Sequence, residues 1–447
     1  MLKRVILILV AIIALAILVI FGAKLYSDHR QSAERDISAG QGAQPNIDAP
    51  RTGLIPLVKI AKPIGWGDNE APTPAQGLTV QRFATGLDHP RWMLPLANGD
   101  VLVAETNAPP KPGDSPGIKG RIQNFIMGRA GARTPSANRI TLLRDADGDG
   151  VAEKRTVLIA GLYSPFGMAL VGNQLYIANA DALVRVPFTV GQTKITDKPV
   201  KVVDLPGGPI NHHWTKNVVA SPDGKRLFVT VGSNSNVGER GNAAERGRAA
   251  IWEVDPATGT HRIYAYGIRN PNGMAWEPTS KTLWTVVNER DELGSDIVPD
   301  YLTSVQFGGF YGWPWYYWGG VEDPRPKDPD TDNLQSYVIR PDYALGAHTA
   351  SLGLTFADRA KLGVRFASGA IIGQHGSWNR NPPSGYKVVF VPFRGGKPQG
   401  KPIDLLTGFL TDKGEAHGRP VGVEIDRGGG LLVADDVGNT IWRVSAR

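Results

Sequence analysis

Four short polar segments hold side chains suited to proton transfer, anion binding or cation binding. Asn211-His212-His213-Trp214-Thr215-Lys216 doubles an imidazole, the side chain best matched to proton transfer near neutral pH. Residues 266–273 set Arg269 beside Asn270, a pair able to grip a carboxylate or a developing oxyanion by forked donation. Residues 287–296 include Asn288, Glu289, Asp291, Glu292 and Asp296, an oxygen-rich run of the kind that suits Ca2+. An aromatic run at 310–318 follows, suited to a planar ring or a sugar face. Residues 373–380 offer His375, Trp378, Asn379 and Arg380, cations and amide donors for an acidic ligand. A fifth segment, Asp145-Ala146-Asp147-Gly148-Asp149-Gly150, has the Asp and Gly spacing of an EF-hand turn, but its twelfth position is Thr156. Asp145, Asp147 and Asp149 therefore read as a structural Ca2+ loop. Taken singly, each segment is equally a solvated or self-satisfied turn.

What brings such segments together is a recurring unit. A turn with Pro, Gly or Asn leads into a short apolar strand, a Gly or Asp turn follows, and a second apolar strand returns. The first strands of the copies lie at His89-Pro90-Arg91-Trp92-Met93, at residues 164–169, at 217–220, at 270–275, at 352–356 and at Arg419-Pro420-Val421-Gly422-Val423. Six units at this spacing predict an all-β, six-bladed β-propeller over residues 78–447. Closure should come from residues 440–444 pairing with residues 78–83 in one blade, since an open ring would expose strand edges. The site is then expected at one mouth of the central channel.

The remaining composition removes alternatives. The chain has 447 residues, no Cys and a net charge of +7 from scattered Lys and Arg. That excludes disulfides, thiolate metal sites and cysteine nucleophiles, and it gives no nucleic-acid footprint. There is no nucleophile elbow, phosphate loop, zinc spacing or dinucleotide fingerprint. An oxidoreductase on this fold would need another organic cofactor.

The N-terminus sets the expected location. Lys3 and Arg4 precede an uncharged apolar run over residues 5–23, about 28 Å long as a helix and enough to cross a bilayer core. Residues 1–25 are therefore expected to form a transmembrane helix, with a cleaved signal peptide as the alternative. The basic pair keeps the N-terminus cytoplasmic and sends the remainder outward. Residues 26–77 read as a linker, polar and flexible to about residue 51 and Pro-rich and surface-wrapping beyond it.

Taken in order, the His213 segment with Ser221-Pro222-Asp223-Gly224-Lys225, residues 267–273 and residues 309–314 resemble the PQQ-dependent soluble glucose and sorbosone dehydrogenase family of quinoproteins. The similarity runs over residues 78–447 and is closest to the sorbosone branch through residues 288–294 and 373–380. This resemblance implies pyrroloquinoline quinone (PQQ) and Ca2+ as cofactors and hydride transfer from a sugar to the quinone. It implies His213 as general base, Arg269 as stabiliser of the quinone oxygen and Asn270 as a cofactor ligand. It also implies Arg380 and Arg419 at the cofactor's carboxylates, Trp378 beside the cofactor, and the backbone carbonyls of Asn288 and Glu289 facing Ca2+. Where the family has Asp before the base this chain has His212, and where it has two close Arg near the last blade this chain has Arg419 alone. The expected partners are a small sugar, an electron acceptor (a quinone or a cytochrome) and the membrane. The expected place is a bacterial inner membrane, single-pass, with the catalytic domain in the periplasm. A non-catalytic binding propeller and a Ca2+-dependent lactonase are the competing readings.

Overall fold

In a computed structural model that describes residues 2–53, 55–110, 134–327 and 333–447, each recurring unit becomes one antiparallel sheet. Blade I is Pro90–Pro95, Val101–Glu105, Arg139–Arg144 and Lys154–Ala160; blade II is Met168–Val171, Gln174–Ala178, Ala182–Pro187 and Val200–Asp204. Blade III is Val218–Ala220, Leu227–Val231, Ala250–Val254 and His261–Tyr266; blade IV is Asn270–Trp276, Leu283–Asn288, Pro299–Ser304 and Tyr343–Ala347. Blade V is Ser351–Phe356, Gly369–Gln374, Lys387–Arg394 and Ile403–Thr407. Blade VI joins Pro420–Ile425, Leu431–Asp435 and Thr440–Ala446 to Leu78–Ala84 from the far end of the chain.

The six first strands touch in ring order, the last returning to the first. They approach so closely that a methyl group on Gly353 of blade V would collide with the Val421 carbonyl of blade VI. Closure follows the predicted pairing, with Ala446 opposite Leu78 and Val444 opposite Val80. The early strand thus covers the edge that blade VI would otherwise expose.

Apolar residues of neighbouring blades interdigitate to form the core. Trp92, Leu102, Phe166 and Ile177 pack between blades I and II, and Trp284, Leu354, Ile372 and Phe393 between IV and V. Each fully buried large apolar side chain contributes about 1.5–3 kcal/mol, so the blades are held by side-chain burial as much as by the ladders within them.

Helix α1 (Leu2–Gln31) is the element outside the ring. It is the one helix long and apolar enough to cross a membrane among the described residues, with a mean hydropathy of 3.5 over its most apolar window. Residues beyond it carry no apolar period, yet they are laid on the propeller by backbone hydrogen bonds. Gln41–Gly42 adds a fifth strand to blade IV beside Tyr343–Ala347. Thr73–Pro74 extends blade V beside Ile403–Thr407, and Lys62–Pro63 runs parallel to Glu415–Ala416.

Candidate active site at one channel mouth

Strand register decides which residues share a mouth. In each blade the first strand begins where the second ends, as in the pairings Pro90 with Glu105, Asn270 with Asn288, and Pro420 with Asp435. Residues just before first strands and just after second strands therefore collect on one face. His213, Arg269, Asn270, Asn288, Glu289, Trp378, Arg380 and Arg419 all obey this rule. Asp145, Asp147 and Asp149 follow the third strand of blade I, which ends on the opposite face. With Glu153 they place one oxygen each within 4.8 Å of one another. The same carboxylates cap their own loop, accepting from the amides of Gly148, Gly150, Val151 and Ala146.

His213 and Asn270 meet across Gly232. A methyl group there would lie 2.5 Å from the His213 Cβ and would clash with Asn270 Oδ1. Ser233 fixes the imidazole. Its hydroxyl donates to the Ser235 carbonyl at 2.7 Å, so toward His213 it can only accept. His213 Nδ1 thus faces two acceptors, Ser233 O at 2.8 Å and Ser233 Oγ at 3.0 Å, and must carry the proton. Nε2 becomes the nitrogen able to take one up.

Arg269 is anchored by the same loop, its carbonyl accepting from the Ser233 amide at 2.8 Å. All five of its guanidinium N–H groups have acceptors. Nε donates to Asn236 O, and Nη1 donates to Glu289 O at 2.6 Å and Asn288 O at 3.4 Å. Nη2 donates to Asn236 Oδ1 and Asp291 Oδ2. The two carbonyls expected to face Ca2+ thus face a cation that the chain supplies itself. Asp291 is held in turn by Asn379 at 2.9 Å and by His348 at 3.4 Å. Burial opposes ionisation of Asp291, but His348, Arg269 and Asn379 outweigh it and bring its pKa down to about 2. His348 Nε2 faces only the carbonyls of Gly294 and Ile297 and its Nδ1 faces a carboxylate, so both nitrogens carry protons. Burial works against that charge, and Asp291 raises the His348 pKa in spite of it.

A second cluster, of which the sequence singled out only His375, faces the mouth from blades I, V and VI. Asp436 is approached by Arg91 at 3.1 Å, His89 at 3.3 Å and His375 at 3.0 Å. Burial would raise the Asp436 carboxyl; the three partners hold it far below the usual range. Burial lowers His89 and brings His375 down to about 4. At neutral pH the imidazoles are therefore neutral donors, and Arg91 balances the carboxylate. The Arg91 guanidinium also lies 5.6 Å from the ring centre of Trp214, next to His213, so it links this cluster to the His213 segment. Arg419 stacks on Tyr386 and donates to its hydroxyl at 2.9 Å.

Arg380 and Trp378 sit toward the rim. Arg380 ties loops together through Ser295 O and Pro382 O, while Trp378 is 36% exposed and its carbonyl accepts from Lys59. The aromatic run is packed inside rather than offered to a ligand, with Phe310, Tyr311, Trp313, Tyr317 and Trp318 all buried.

Several buried polar atoms at this mouth have no partner: Arg91 Nε as donor, and the amide oxygens of Asn270, Asn272, Gln374 and Asn379 as acceptors. Orphaned buried groups cost about 1–3 kcal/mol each, so their concentration here marks a surface shaped for a polar ligand. Donors to an anion and acceptors for N–H or hydroxyl groups fit PQQ and a sugar. Ca2+ does not fit at the carbonyls of Asn288 and Glu289 while the Arg269 guanidinium holds them, because the metal would need those oxygens for itself.

A TrAA12-like family model matches residues 136–300 and 321–447. A pyrroloquinoline quinone-dependent pyranose dehydrogenase of Coprinopsis cinerea is 28% identical over 223 residues, covering 40% of this chain and 30% of that protein. The chain therefore matches less than a third of that relative's length. A Trichoderma reesei structure of the carbohydrate-active AA12 family superposes with a TM-score of 0.68 at 20% identity, covering 87% of this chain and 99% of the other. The holo PQQ domain of the Coprinopsis cinerea pyranose dehydrogenase gives 0.65 at 21%, covering 86% and 100%. At these identities the structural likeness is one of fold.

Proposed function

Since this chain belongs to the TrAA12-like family, we propose that it is a PQQ-dependent dehydrogenase of an aldose or related sugar, sorbosone-like in its preference. The observation that carries this reading is the His213 imidazole, fixed by Ser233 with Nε2 as its basic nitrogen, beside Asn270 and its orphaned oxygen. When bound, PQQ supplies the two-electron acceptor that no side chain can provide.

The chain's own residues then divide the work. His213 Nε2 takes the proton of the sugar hydroxyl. Asn270, Asn272 and Gln374 present acceptors to ligand N–H or hydroxyl groups. Arg91 and Arg419 supply positive charge for carboxylates. Arg269 acts through position, fixing the loops of Asn236, Asn288 and Glu289 around Asn270 and leaving a positive charge beside it. Any Ca2+ at Asp145, Asp147 and Asp149 is structural, because that loop lies at the other mouth. We place the propeller on the periplasmic side of a bacterial inner membrane, held by α1, with a quinone or cytochrome as electron acceptor.

The test uses full-length protein in detergent, PQQ, a panel of aldoses and an artificial electron acceptor. Dye reduction that needs PQQ and is lost in His213→Ala is the expected result; sugar-independent or PQQ-independent reduction overturns it. One observation favours a second reading, a propeller that binds without turnover. The five donors of Arg269 are all engaged and none is left for a quinone oxygen. PQQ binding without dye reduction would establish that reading.

A further inference from the structure

We propose that the mouth holding His213 and Asn270 faces the membrane, a lipid surface being the partner of this face of the disc. Helix α1 is one continuous element whose two ends have different surroundings. Its residues 5–21 are exposed on every side, so nothing in the protein covers that apolar length. Its last turns are buried against the propeller: Ser27 and Gln31 are 2% and 3% exposed.

The contacts at this end are specific. Ser27 Oγ and Gln31 Nε2 both donate to the Ile55 carbonyl at 2.8 Å, and Gln31 Oε1 accepts from the Leu57 amide. The Ser295 amide donates to the Gln31 carbonyl at 2.9 Å, and the Ala33 amide to Asn381 O at 2.8 Å. Glu34 N donates to Asp296 Oδ2, Arg51 N to Leu293 O, and Lys59 N to Trp378 O. Residues 293–296 and 378–381 follow the second strands of blades IV and V, which end at the site-bearing mouth. The helix end, Leu57, Trp378 and Asn379 line one small cavity. From there Asn379 reaches Asp291, and Asp291 reaches Arg269.

Distance then fixes orientation. The apolar run stops at Lys24, and Gln31 is seven residues further along the same helix, about 11 Å at 1.5 Å per residue. The mouth loops must sit within roughly that distance of the lipid surface, with no flexible segment between to let the disc turn over. Tyr26 is exposed between Lys24 and Arg30, the mixture of aromatic and basic side chains that settles at a membrane interface. If the dehydrogenase reading holds, an oxidant confined to the bilayer has the shortest path to the site.

The experiment exploits the absence of Cys. Single Ala243→Cys, at the mouth between the second and third strands of blade III, and Lys225→Cys, in the turn on the opposite side of the same blade, both lie at exposed positions. Each full-length variant is labelled with a fluorophore and reconstituted into lipid nanodiscs carrying headgroup-attached nitroxide. Lys59→Cys, on the segment over Trp378, serves as a second mouth position. Strong quenching at 243 and 59 with little at 225 is expected. Equal quenching on both faces, stronger quenching at 225, or recovery of an N-terminally shortened chain in the aqueous fraction would overturn the proposal. None of these readouts depends on turnover, so the dehydrogenase reading can fail while this one stands, and the reverse.

Discussion

His213 and Asn270, distant in the chain, are brought side by side by a single glycine: Gly232 leaves the space between them, and a methyl group there would stand 2.5 Å from His213 Cβ. The gap sets the His213 imidazole, the base of the proposed reaction, near an amide whose oxygen has no partner among the described residues. Gly232→Ala must push one of the two aside. The expected cost is about 1–3 kcal/mol of stability from overpacking, with PQQ affinity falling by more than tenfold as Asn270 turns away. Urea unfolding and fluorescence titration of PQQ check the two effects separately. Unchanged affinity would show that Asn270 takes no part in the site.

The Ser233 contacts predict how His213 behaves when replaced. His213→Gln removes the basic nitrogen but leaves a polar group of similar reach. Turnover should fall by roughly 10²–10⁴-fold, the usual contribution of a positioned base. PQQ affinity and melting temperature should stay near wild type. A variant that keeps wild-type turnover would assign the base elsewhere.

His213, Arg269 and Asn270 were legible because they flank recurring first strands, where a repeat makes an unusual residue stand out. Arg91 and Asp436 occupy the matching positions in blades I and VI and were passed over. His89-Pro90-Arg91 reads as a turn and a strand start, and Asp436 lies just past the second strand of blade VI, where the apolar pattern has ended. The closing pair of strands was legible too, from two apolar runs at the ends of the repeat region. The attachment of residues 32–51, which read as a flexible tether, was not. It uses backbone amides and carbonyls, as in Ala33 to Asn381 and Arg51 to Leu293, and such contacts leave no periodic trace in side-chain identity. The engagement of Arg269 was equally hidden, because its acceptors at Asn236, Asn288, Glu289 and Asp291 are gathered only by the fold.

The Arg91–Asp436 pair yields a stability prediction. Asp436 is fully buried at the mouth and the Arg91 side chain is only 11% exposed, and His89 and His375 are neutral near pH 7. Asp436→Asn therefore leaves the Arg91 guanidinium without its counter-ion. Breaking one side of a buried ion pair costs about 3–5 kcal/mol. The double variant Asp436→Asn with Arg91→Met should recover much of that loss, which a double-mutant cycle in urea would measure. A loss of less than about 1 kcal/mol in the single variant would mean that solvent or another anion reaches Arg91.

The Asp291–His348 pair should make stability depend on pH in both directions. Asp291 has its pKa depressed to about 2, so its contribution is complete above the ordinary carboxylate value of 3.8 and is lost as pH falls toward about 2. His348 has its pKa raised, so its contribution is complete below the ordinary value of 6.5 and is lost as pH rises through the raised value. The pair therefore stabilises most between about pH 4 and 6.5. His348→Gln should be destabilised relative to wild type by a larger margin at pH 5.5 than at pH 9, because wild type loses the imidazolium's contribution as pH rises through the raised His348 value. Denaturant midpoints for both proteins at the two pH values test this. A larger margin at pH 9 would mean that His348 is neutral in the fold and that Asp291 is held down by Arg269 and Asn379 alone.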